Sequence, residues 1–574
     1  MSRNCFFQAA VCGMLLLVGC SDSETPVGPV TPAPVAEVRV TPGTSTLPPG
    51  QTRQLTAVTL DAGGRTLANR AVTWTTSAPT VAEVSPGGVV TAVGNGSATI
   101  TAASEGRSGT AVITVALPVA TVTVSPALDT LEAYETRNLQ AVLRDSAGTV
   151  LTGRTVTWTS SDPSVATINP VTGVLTGVDR GTVTITATSE DRSGTVSRVV
   201  VIRYRSLTTG ASHACNLASG GIAWCWGLNG RDGRIGGAQL GDNEHSTIPI
   251  QVPGGHRFSR IATYGPTTCG ISLEGRAFCW GSNQWGVLGT GASTPQQSFT
   301  PVPVAGGHTF IEISAGALHF CGVTAQGKAY CWGHNGMGEL GTGNRTNSTT
   351  PVPAAPNLSF VRITAGSEYS CALTAAGQAY CWGYDGVGNL GDGRPMSFGN
   401  TYVLAPVQVT GGHGWRQLSA GRQHTCGVTV AGVAYCWGRN SSRLGNGQGG
   451  ETSTPSAVAG GHIFRSVSAG FYHSCGVTAE DAVYCWGLNG NGELGVTLAN
   501  GSNVPVRAGT ITASEVSAAN ASGGAGLYTC AISPDRLTTR CWGRNDLGQL
   551  GNGTTTAAAA VNSAPTIVHG QRPT

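Results

Sequence analysis

Alternation of apolar and polar residues dominates the first third of the chain and predicts short, half-buried β-strands. In residues 38–42, and again in 122–126, Val alternates with Thr, Ser or Arg and the run ends in Pro. The runs 96–101 and 181–186 alternate in the same way, with Ala, Val or Ile on one side and Ser or Thr on the other. Successive residues of a strand point to opposite faces, so one face of each strand is expected to pack on a core.

These strands recur with a period of about 84 residues, which predicts two copies of one domain. The run 72–74 returns at 156–158 with a Trp in each copy, and 81–84 returns at 165–168. Many short strands within about 80 residues are typical of a β-sandwich with a Trp in its core.

From residue 203 a second repeat of about 50 residues continues to the end of the chain. Its core reads A-G-x-x-H-x-C-x-[LV]-x-x-x-G-x-[AV]-Y-C-W-G-x-N-x-x-G-x-L-G. The Cys-Trp-Gly element occurs seven times, beginning at Cys225, Cys279, Cys331, Cys381, Cys436, Cys485 and Cys541. Alternating segments separated by Gly-rich turns predict an all-β array.

The cysteines of this array predict seven disulfides. Each Cys-Trp-Gly follows an earlier Cys, giving the pairs Cys215–Cys225, Cys269–Cys279, Cys321–Cys331, Cys371–Cys381, Cys426–Cys436, Cys475–Cys485 and Cys530–Cys541. Zinc ligands come as closely spaced pairs that converge in fours, whereas here single cysteines lie on two segments joined by a turn. Opposed residues of such a hairpin are close enough for a disulfide. The other three of the 17 cysteines, Cys5, Cys12 and Cys20, lie near the N-terminus.

The composition supports the all-β prediction and argues against nucleic acid as a partner. Only 11% of the residues are charged and 84 are Gly, a mixture that favours strands and turns over helices. The formal net charge of +3 is small, and no block of Lys and Arg could follow a phosphate backbone.

Residues 36–115 and 119–202 resemble the bacterial immunoglobulin-like domain of group 2. The opening strand that ends in Pro, the V-T-W run, the V-A-x-V run and the closing G-x-A-T-I-T run carry the resemblance. It implies β-sandwich modules that act as surface-exposed spacers or adhesive domains.

Residues 203–574 resemble the repeat family of the regulator of chromosome condensation, through the 50-residue pattern given above. The resemblance implies a seven-bladed β-propeller in which each four-stranded blade packs on its neighbours. The first repeat lacks the P-x-x-V run found before later units, for example at 301–304, and a similar run, 565–568, lies at the C-terminus. We therefore expect the C-terminal run to complete blade one and close the ring.

The N-terminus predicts export. Arg3 precedes an apolar stretch from residue 5 to 19, which is shorter than a membrane span needs. The stretch ends in Leu17-Val18-Gly19-Cys20, which resembles the lipobox of bacterial lipoproteins. The resemblance implies that residues 1–19 are a signal peptide and that Cys20 is acylated, which anchors the chain in a membrane.

Two further features bear on where the chain is anchored. Ser21 follows the Cys where retention in the inner membrane would favour Asp, so the resemblance implies an outer-membrane or cell-surface location. Residues 20–35 contain four prolines and are expected to form an extended tether.

Two motifs that imitate metal and nucleotide sites are better explained by the repeat. Four histidines occupy the position two before the first Cys of a unit, and other units have Thr or Tyr there, which indicates a structural hydrogen bond; they are His213, His319, His424 and His473. Glycine patterns beginning at Gly336, Gly386 and Gly490 resemble a dinucleotide fingerprint, but that fingerprint needs a βαβ unit. We expect no metal and no cofactor.

Residues that differ between repeats are better ligand candidates than residues that recur in every repeat, because a Trp present in all seven units is expected to pack the core. Trp285 and Trp415 lie outside the Cys-Trp-Gly pattern, and Arg231 and Arg234 lie in an insertion of the first unit. Trp and Arg often anchor protein interfaces. These four residues are the candidate ligand contacts.

The expected function is non-catalytic recognition of an unidentified protein or glycan by the propeller, with the Ig-like domains as a stalk or adhesive spacer. The sequence has no G-x-S-x-G, H-E-x-x-H or P-loop motif that would indicate an enzyme. Two alternatives remain. One is guanyl-nucleotide exchange, implied by the repeat family but disfavoured by export, and the other is a carbohydrate-active enzyme with its site at the propeller axis.

Overall fold

The computed structural model describes residues 32–127, 130–237, 244–397, 399, 401–520, 527–557 and 560–570. By its internal contacts the chain divides into two compact units, 1–122 with 143–155 and 189–192, and 123–142 with 156–188 and 193–574. The described residues form 47 strands and two short 3₁₀ segments, Ser219–Gly221 and Gln284–Gly286. The predicted all-β class, with Ig-like domains followed by a propeller, is therefore confirmed. Cys20 lies outside the described residues.

The first Ig-like domain is a sandwich of short strands. Its strands are β1 (Glu37–Thr41), β2 (Thr44–Leu47), β3 (Thr52–Gln54), β4 (Thr56–Leu60), β5 (Thr73–Thr76), β6 (Ala82–Val84), β7 (Val89–Ala92), β8 (Gly96–Ser104) and β9 (Arg107–Val115). They form the sheets β1–β4, β2–β9–β8–β5 and β3–β7–β6. Alternate residues of the long hairpin β8–β9, such as Ile100 and Ile113, are fully buried in the core, as the period-two pattern predicts.

The second Ig-like domain repeats this arrangement. Its strands are β10 (Thr121–Ser125), β11 (Thr130–Glu132), β12 (Thr136–Asn138), β13 (Gln140–Arg144), β14 (Val150–Leu151), β15 (Thr157–Ser160), β16 (Ala166–Ile168), β17 (Val174–Gly177), β18 (Gly181–Ser189) and β19 (Arg192–Val201). The sheets are β10–β13–β14, β11–β19–β18–β15 and β12–β17–β16. Trp158 is 5% exposed, and a Cβ at Gly173 would lie 2.9 Å from its ring, so only glycine fits there.

The propeller consists of seven four-stranded antiparallel blades, each made from four consecutive strands. Blades one to four are β20 (Tyr204–Thr209), β21 (His213–Ala218), β22 (Ala223–Leu228), β23 (His245–Gln251); β24 (Phe258–Tyr264), β25 (Thr267–Ser272), β26 (Ala277–Ser282), β27 (Gln297–Pro303); β28 (Phe310–Ala315), β29 (His319–Thr324), β30 (Ala329–Gly333), β31 (Ser348–Ala354); and β32 (Arg362–Ala365), β33 (Tyr369–Leu373), β34 (Ala379–Tyr384), β35 (Tyr402–Gln408).

Blades five to seven follow the same order. They are β36 (Trp415–Ala420), β37 (His424–Thr429), β38 (Ala434–Gly438), β39 (Thr452–Ala457); β40 (Phe464–Ala469), β41 (His473–Thr478), β42 (Ala482–Gly487), β43 (Ser502–Thr512); and β44 (Glu515–Ala518), β45 (Tyr528–Ile532), β46 (Thr539–Gly543), β47 (Thr566–Ile567). The first strand of each blade lies beside the first strand of the next, so these strands line the axis of the ring.

The expected closure by the C-terminal run is wrong. Residues Thr566–Ile567 form β47, which pairs with β46 and completes blade seven, the last blade. Blade one has a fourth strand of its own, β23, which pairs with β22. The P-x-x-V run is therefore part of the last strand of its own blade and not of the first strand of the next. The C-terminal copy accordingly completes the blade that it follows in sequence.

Side chains of the first strands join neighbouring blades near the axis. A Ser or Thr hydroxyl of one blade accepts the backbone N–H of an inner-strand residue in the next. The nitrogen and the hydroxyl oxygen lie 2.9–3.1 Å apart in the pairs Thr208 with Thr263, Ser314 with Ala365, Thr364 with Ala420, Ser419 with Ala469 and Ser468 with Ala518. Between the last blade and the first, the hydroxyls of Ser517 and Thr209 lie 2.7 Å apart. Backbone hydrogen bonds also join these two blades, from the Tyr204 N–H to the Arg536 carbonyl and from the Gly553 N–H to the Thr247 carbonyl, so side-chain and backbone contacts together close the ring.

Candidate functional site

The paired cysteines occupy the second and third strands of each blade. In all seven blades the two residues face each other in the register of the hairpin and are bonded, with Cα atoms 4.0–4.1 Å apart; the pairs are Cys215–Cys225, Cys269–Cys279, Cys321–Cys331, Cys371–Cys381, Cys426–Cys436, Cys475–Cys485 and Cys530–Cys541. Every one of these cysteines is fully buried. The disulfides therefore belong to the scaffold.

The four repeated histidines join one blade to the next. The Nε2 atoms of His213, His319, His424 and His473 lie 2.8–2.9 Å from a hydroxyl that precedes the first Cys of the following blade. That hydroxyl donates to a backbone carbonyl, so it accepts from the imidazole, and Nε2 carries the proton. Burial lowers the pKa of all four, to about 4 for His319 and about 3 for His473. They are neutral hydrogen-bond donors rather than a converging set of ligands.

The Trp of each Cys-Trp-Gly element packs against the preceding blade. All seven indoles are fully buried. The Nε1 of Trp332 donates to the backbone carbonyl of Val287, and that of Trp382 to the carbonyl of Glu339. The Nε1 of Trp226 donates to the carbonyl of Gln549 and so links blade one to blade seven. These residues hold the ring together and are unavailable to a ligand.

The glycine patterns that resemble a dinucleotide fingerprint are turns between the third and fourth strands of blades three, four and six. In each turn the Asn or Asp after Cys-Trp-Gly-x accepts the N–H of the Leu five residues later: Asn335 from Leu340, Asp385 from Leu390 and Asn489 from Leu494. No helix follows these turns, so the phosphate-binding geometry is absent from this described part of the chain.

One set of residues that differ between blades lies in the turns after the first and third strands, at one end of the propeller. The residues after Cys-Trp-Gly are Leu228, Ser282, His334, Tyr384, Arg439, Leu488 and Arg544. Their backbone N–H groups donate, at 2.8–3.0 Å, to the carbonyls of Ser212, Pro266, Leu318, Glu368, Gln423, Tyr472 and Leu527. We call the surface formed by these fourteen residues and by the other residues of the same turns the loop face. The same hydrogen bond in every blade places two variable residues next to each other. The Cys and Trp residues common to all blades are buried inside the ring.

Trp285 projects beside the loop face in blade two. It is 46% exposed and has a φ of +64°, in the left-handed region that non-glycine residues rarely adopt. The centre of its ring lies 5.3 Å from the centre of the His334 imidazole in blade three, and the two rings are arranged edge to face. The Nδ1 atom of His334 lies 2.6 Å from the carboxylate of Glu339, which raises the pKa of the imidazole. An exposed indole held in a strained turn is the type of side chain that anchors a protein interface.

Arginines and aromatic rings form the loop face of blades five and six. The guanidinium of Arg422 lies 4.3 Å from the ring centre of Phe471 and donates to the hydroxyl of Tyr472 at 3.1 Å. Arg443 lies 4.7 Å from the ring centre of Tyr472. Arg439 is exposed and donates to Gln423 at 3.1 Å. This part of the face therefore combines positive charge with aromatic surface.

The axis carries a second cluster of charged groups, where the alternative of an enzyme would place its site. The equivalent inner-strand positions are Ser206, Arg260, Glu312, Arg362, Gln417, Ser466 and Glu515. Glu312 pairs with Arg362 at 3.7 Å, and Glu515 accepts the N–H of Leu207 at 3.1 Å. Burial raises the pKa of both carboxyls, to about 7 for Glu515.

Tyr264 narrows the axis at the loop face. It takes the place of Gly in five other blades and of Ala519 in blade seven, is 2% exposed, and its hydroxyl lies 3.1 Å from that of Ser367, two blades further on. Burial raises the pKa of its phenol. A substrate entering from the loop face would meet this ring before it reached the axial carboxylates.

The structure separates the four ligand candidates predicted from sequence. Trp285 is at the surface, and Arg231 is exposed in the loop after β22. The Arg234 side chain is only 11% exposed and pairs with Asp232. Trp415 is 3% exposed and was wrongly included. It occupies the core position of Phe258, Phe310, Phe360 and Phe464 in other blades and lies 5.4 Å from the ring of Trp437.

Sequence reasoning missed the loop-face residues His334, Glu368, Arg422, Arg443 and Tyr472. Each is unremarkable alone, and the signal that could have found them is the set of positions at which the seven aligned repeats disagree. Within the described ranges, no group of three His, Cys, Asp or Glu side chains could hold a metal ion. Nor does any described helix have the length and apolarity needed to cross a bilayer.

Comparison with known families supports this division of the chain. The bacterial Ig-like domain (group 2) matches residues 34–115 and 118–200. Two families described as the regulator of chromosome condensation (RCC1) repeat match the propeller. One matches 310–339, 360–389, 415–448 and 464–493, and the other matches 274–323 and 326–373.

Individual relatives share the propeller. The ultraviolet-B receptor UVR8 of Arabidopsis thaliana is 34% identical over 143 residues, 24% of this chain and 31% of its own length. The chain thus spans about a third of that relative. The structure of Prp20p from Saccharomyces cerevisiae is similar with a TM-score of 0.50 and 21% identity, over 55% of this chain and 80% of that one. Human WBSCR16 gives a TM-score of 0.52 and 19% identity, over 60% and 93%. At these identities the likeness shows the fold.

The repeated Cys-Trp-Gly blades, the paired sandwiches before them and the matched families lead to one conclusion: the chain carries two bacterial Ig-like domains of group 2 followed by a propeller of RCC1 repeats.

Proposed function

We propose that the chain is an exported, lipid-anchored surface protein whose propeller recognises a protein through its loop face, without catalysis. The Ig-like domains serve as the stalk or adhesive spacer between the anchor at Cys20 and the propeller. The observation that carries the proposal is the arrangement of residues in the propeller: the Cys and Trp shared by all blades are buried, whereas two positions that one repeated hydrogen bond joins in every blade carry different side chains at one end of the ring.

Several features support recognition rather than catalysis. The axial carboxylates Glu312 and Glu515 are engaged by Arg362 and by the Leu207 N–H, and Tyr264 lies between them and the loop face. The exposed Trp285 and the arginines of blades five and six are residue types enriched at the centres of protein interfaces. Prp20p, a propeller of this fold, is described with binding properties to Gsp1p and histones, and protein binding is the general role we propose here.

The proposed location rests on two observations. Leu17–Cys20 fits the pattern of a lipobox, and seven buried disulfides persist only where thiols are not kept reduced. Guanyl-nucleotide exchange would require a cytoplasmic GTPase, so this location argues against it.

Proximity labelling on living cells of the native host tests the proposal. The full chain carries a peroxidase after Thr574, and the test variant is Trp285→Ser. The control is Leu273→Ser, since Leu273 is 58% exposed in the turn between β25 and β26, at the opposite end of the same blade. We expect a labelled protein partner that is lost in the Trp285 variant and kept in the control. Equal labelling by all three chains, or labelling of glycans alone, would contradict recognition of a protein by the loop face.

A further inference from the structure

Three arginines of blade five lie close together on the loop face without a carboxylate partner. Arg422 follows β36, and Arg439 and Arg443 follow β38. Among the described residues, none of the three has a carboxylate oxygen within the 4.0 Å of an ion pair. Burial, together with the charges of Arg439 and Arg422, lowers the pKa of the Arg443 guanidinium to about 10. Arg443 therefore remains positively charged at neutral pH.

Arg443 is buried at a position where blades three and seven carry a polar side chain that is satisfied within its own turn. The equivalent residues Glu339 and Gln549 each accept an N–H of their own turn at 2.8 Å. Arg443 is 3% exposed, and its Nε and Nη1 atoms are buried with no hydrogen-bond partner in the described part of the chain. A buried guanidinium in this state is costly unless an anion completes its hydrogen bonds.

The turn that carries Arg443 also differs from its counterparts. Blade five has two residues between Asn440 and Arg443, where blade three has three between Asn335 and Glu339. Ser441 and Ser442 adopt φ values of +43° and +68°, in the left-handed region. The shortened turn removes the carboxylate and brings the guanidinium against the ring of Tyr472 in blade six, 4.7 Å from its centre.

Tyr472 and Phe471 supply the walls around these charges. The two rings are T-shaped with centres 4.4 Å apart, and Arg422 lies over the Phe471 face while donating to the Tyr472 hydroxyl. Two acidic residues are near: Glu368 acts electrostatically on Arg422, and Glu451 on Arg443. Both are half-exposed, and neither is close enough to form an ion pair with these arginines. Three cations against two carboxylates leave a net positive site.

We infer that Arg422, Arg439, Arg443 and Tyr472 form a binding site for a carboxylate, supplied by an acidic segment of the protein that the loop face recognises. The inference rests on the proposed function and adds the chemistry of the partner. A guanidinium presents paired N–H donors that match the two oxygens of a carboxylate, and an anion at this site would satisfy the atoms of Arg443 that are now unpaired.

Calorimetric titration of the full chain tests the site. The probes are a hexaglutamate peptide, a hexaglutamine peptide and tetragalacturonate, an acidic glycan. The variants are Arg443→Gln, Arg422→Gln and, as a control with the same loss of charge, Arg507→Gln on the exposed outer strand of blade six. Since Arg443 is buried, the half-exposed Arg422 provides a second variant that does not depend on refolding of the turn, and the melting temperature of each protein is measured.

We expect hexaglutamate to bind and hexaglutamine not to, with the dissociation constant raised at least tenfold by Arg422→Gln or Arg443→Gln and unchanged by Arg507→Gln. The inference is overturned if hexaglutamate fails to bind, if Arg422→Gln leaves its affinity unchanged, or if only tetragalacturonate binds through the arginines. A partner that is still labelled on cells by the Arg422 variant overturns the acidic site and leaves the proposed function standing. If hexaglutamate binds but no partner is labelled on cells, the acidic site stands and the proposed function is overturned.

Discussion

The hydroxyl of Tyr528 in blade seven donates a hydrogen bond of 2.6 Å to the carbonyl of His213 in blade one. Tyr369 in blade four makes the same bond, also 2.6 Å, to His424 in blade five. The junction between the last blade and the first is therefore built like a junction within the chain.

Removing either hydroxyl tests this equivalence. We expect Tyr528→Phe and Tyr369→Phe each to lower the free energy of unfolding by about 1–2 kcal/mol, because each variant loses the buried hydrogen bond to the carbonyl of the next blade. Each acceptor carbonyl keeps a second donor, Gly210 or Gly421. Denaturant unfolding followed by circular dichroism measures the change. A much larger loss for Tyr528→Phe would show that the ends of the ring form a special seam.

Loss of one disulfide should weaken the propeller without changing its fold. For Cys426→Ala with Cys436→Ala, the chain-entropy relation for so short a loop predicts that the free energy of unfolding falls by about 3 kcal/mol. The pair is chosen because its blade is flanked by complete blades on both sides. Thermal unfolding of the oxidised double variant measures the loss, and reduction of the native chain should lower the melting temperature further. An unchanged melting temperature would mean that packing alone holds the hairpin.

Glu515 should make the propeller less stable as the pH rises through neutrality. Burial raises the pKa of its carboxyl to about 7, above the value of 4.5 for the unfolded chain. The folded state then holds a proton that the unfolded state has lost, so the free energy of unfolding falls between about pH 4.5 and 7, by at most about 3 kcal/mol.

Glu515→Gln should remove that dependence and stabilise the protein at pH 8. Gln417 stands at the equivalent position in blade five, where its amide accepts from and donates to the backbone of Val467 at 3.1 Å. A glutamine at 515 can make the same pair of bonds to Leu207. Unfolding curves from pH 5 to 8 compare the two proteins, and parallel pH profiles would contradict the assignment.

The four buried histidines should act in the opposite direction in acid. Their folded pKa values lie below the ordinary 6.5, so as the pH falls below 6.5 the unfolded state takes up protons that the folded state refuses, and stability declines. Calorimetric unfolding at pH 5 in two buffers of different ionisation heat should show uptake of several protons. His473→Gln should reduce the uptake by close to one.

Acylation of Cys20 is tested apart from recognition. Metabolic labelling with a palmitate analogue in the native host should label the wild-type chain in the membrane fraction and leave Cys20→Ser unlabelled. Labelling that persists in the Cys20 variant would place the modification elsewhere.

The strands and cysteine pairs could be predicted because they depend on local pattern. Alternation identifies strands, and a Gly turn between two cysteines leaves few registers, so Cys426 and Cys436 could be matched from spacing alone. The prediction that the C-terminal run completes blade one is wrong because the sequence of a repeat does not show at which residue a blade begins. The P-x-x-V run lies between two Cys-Trp-Gly elements, and nothing local assigns it to the earlier blade, as β47 requires.

The candidate site was harder to predict because it depends on which residues the ring brings together. Arg422 and Tyr472 are 50 positions apart in sequence, and the contact between them exists only because blades five and six are neighbours. Trp415 misled for the complementary reason: it is rare in sequence yet fills an ordinary core position. The burial of Arg443 could not be seen in a pattern that gives the same position to Glu and Gln.

Every blade is made from consecutive strands and has its own disulfide. A break in the chain between two blades therefore interrupts no sheet. The gene for such a propeller is a string of interchangeable cassettes of about fifty codons. New ends could be opened at any of the inter-blade loops and the old ones joined, and recombination could swap one cassette for another. The loop face would change its set of side chains while the ring beneath it stayed the same, so a lineage could acquire new binding partners without having to evolve a new fold.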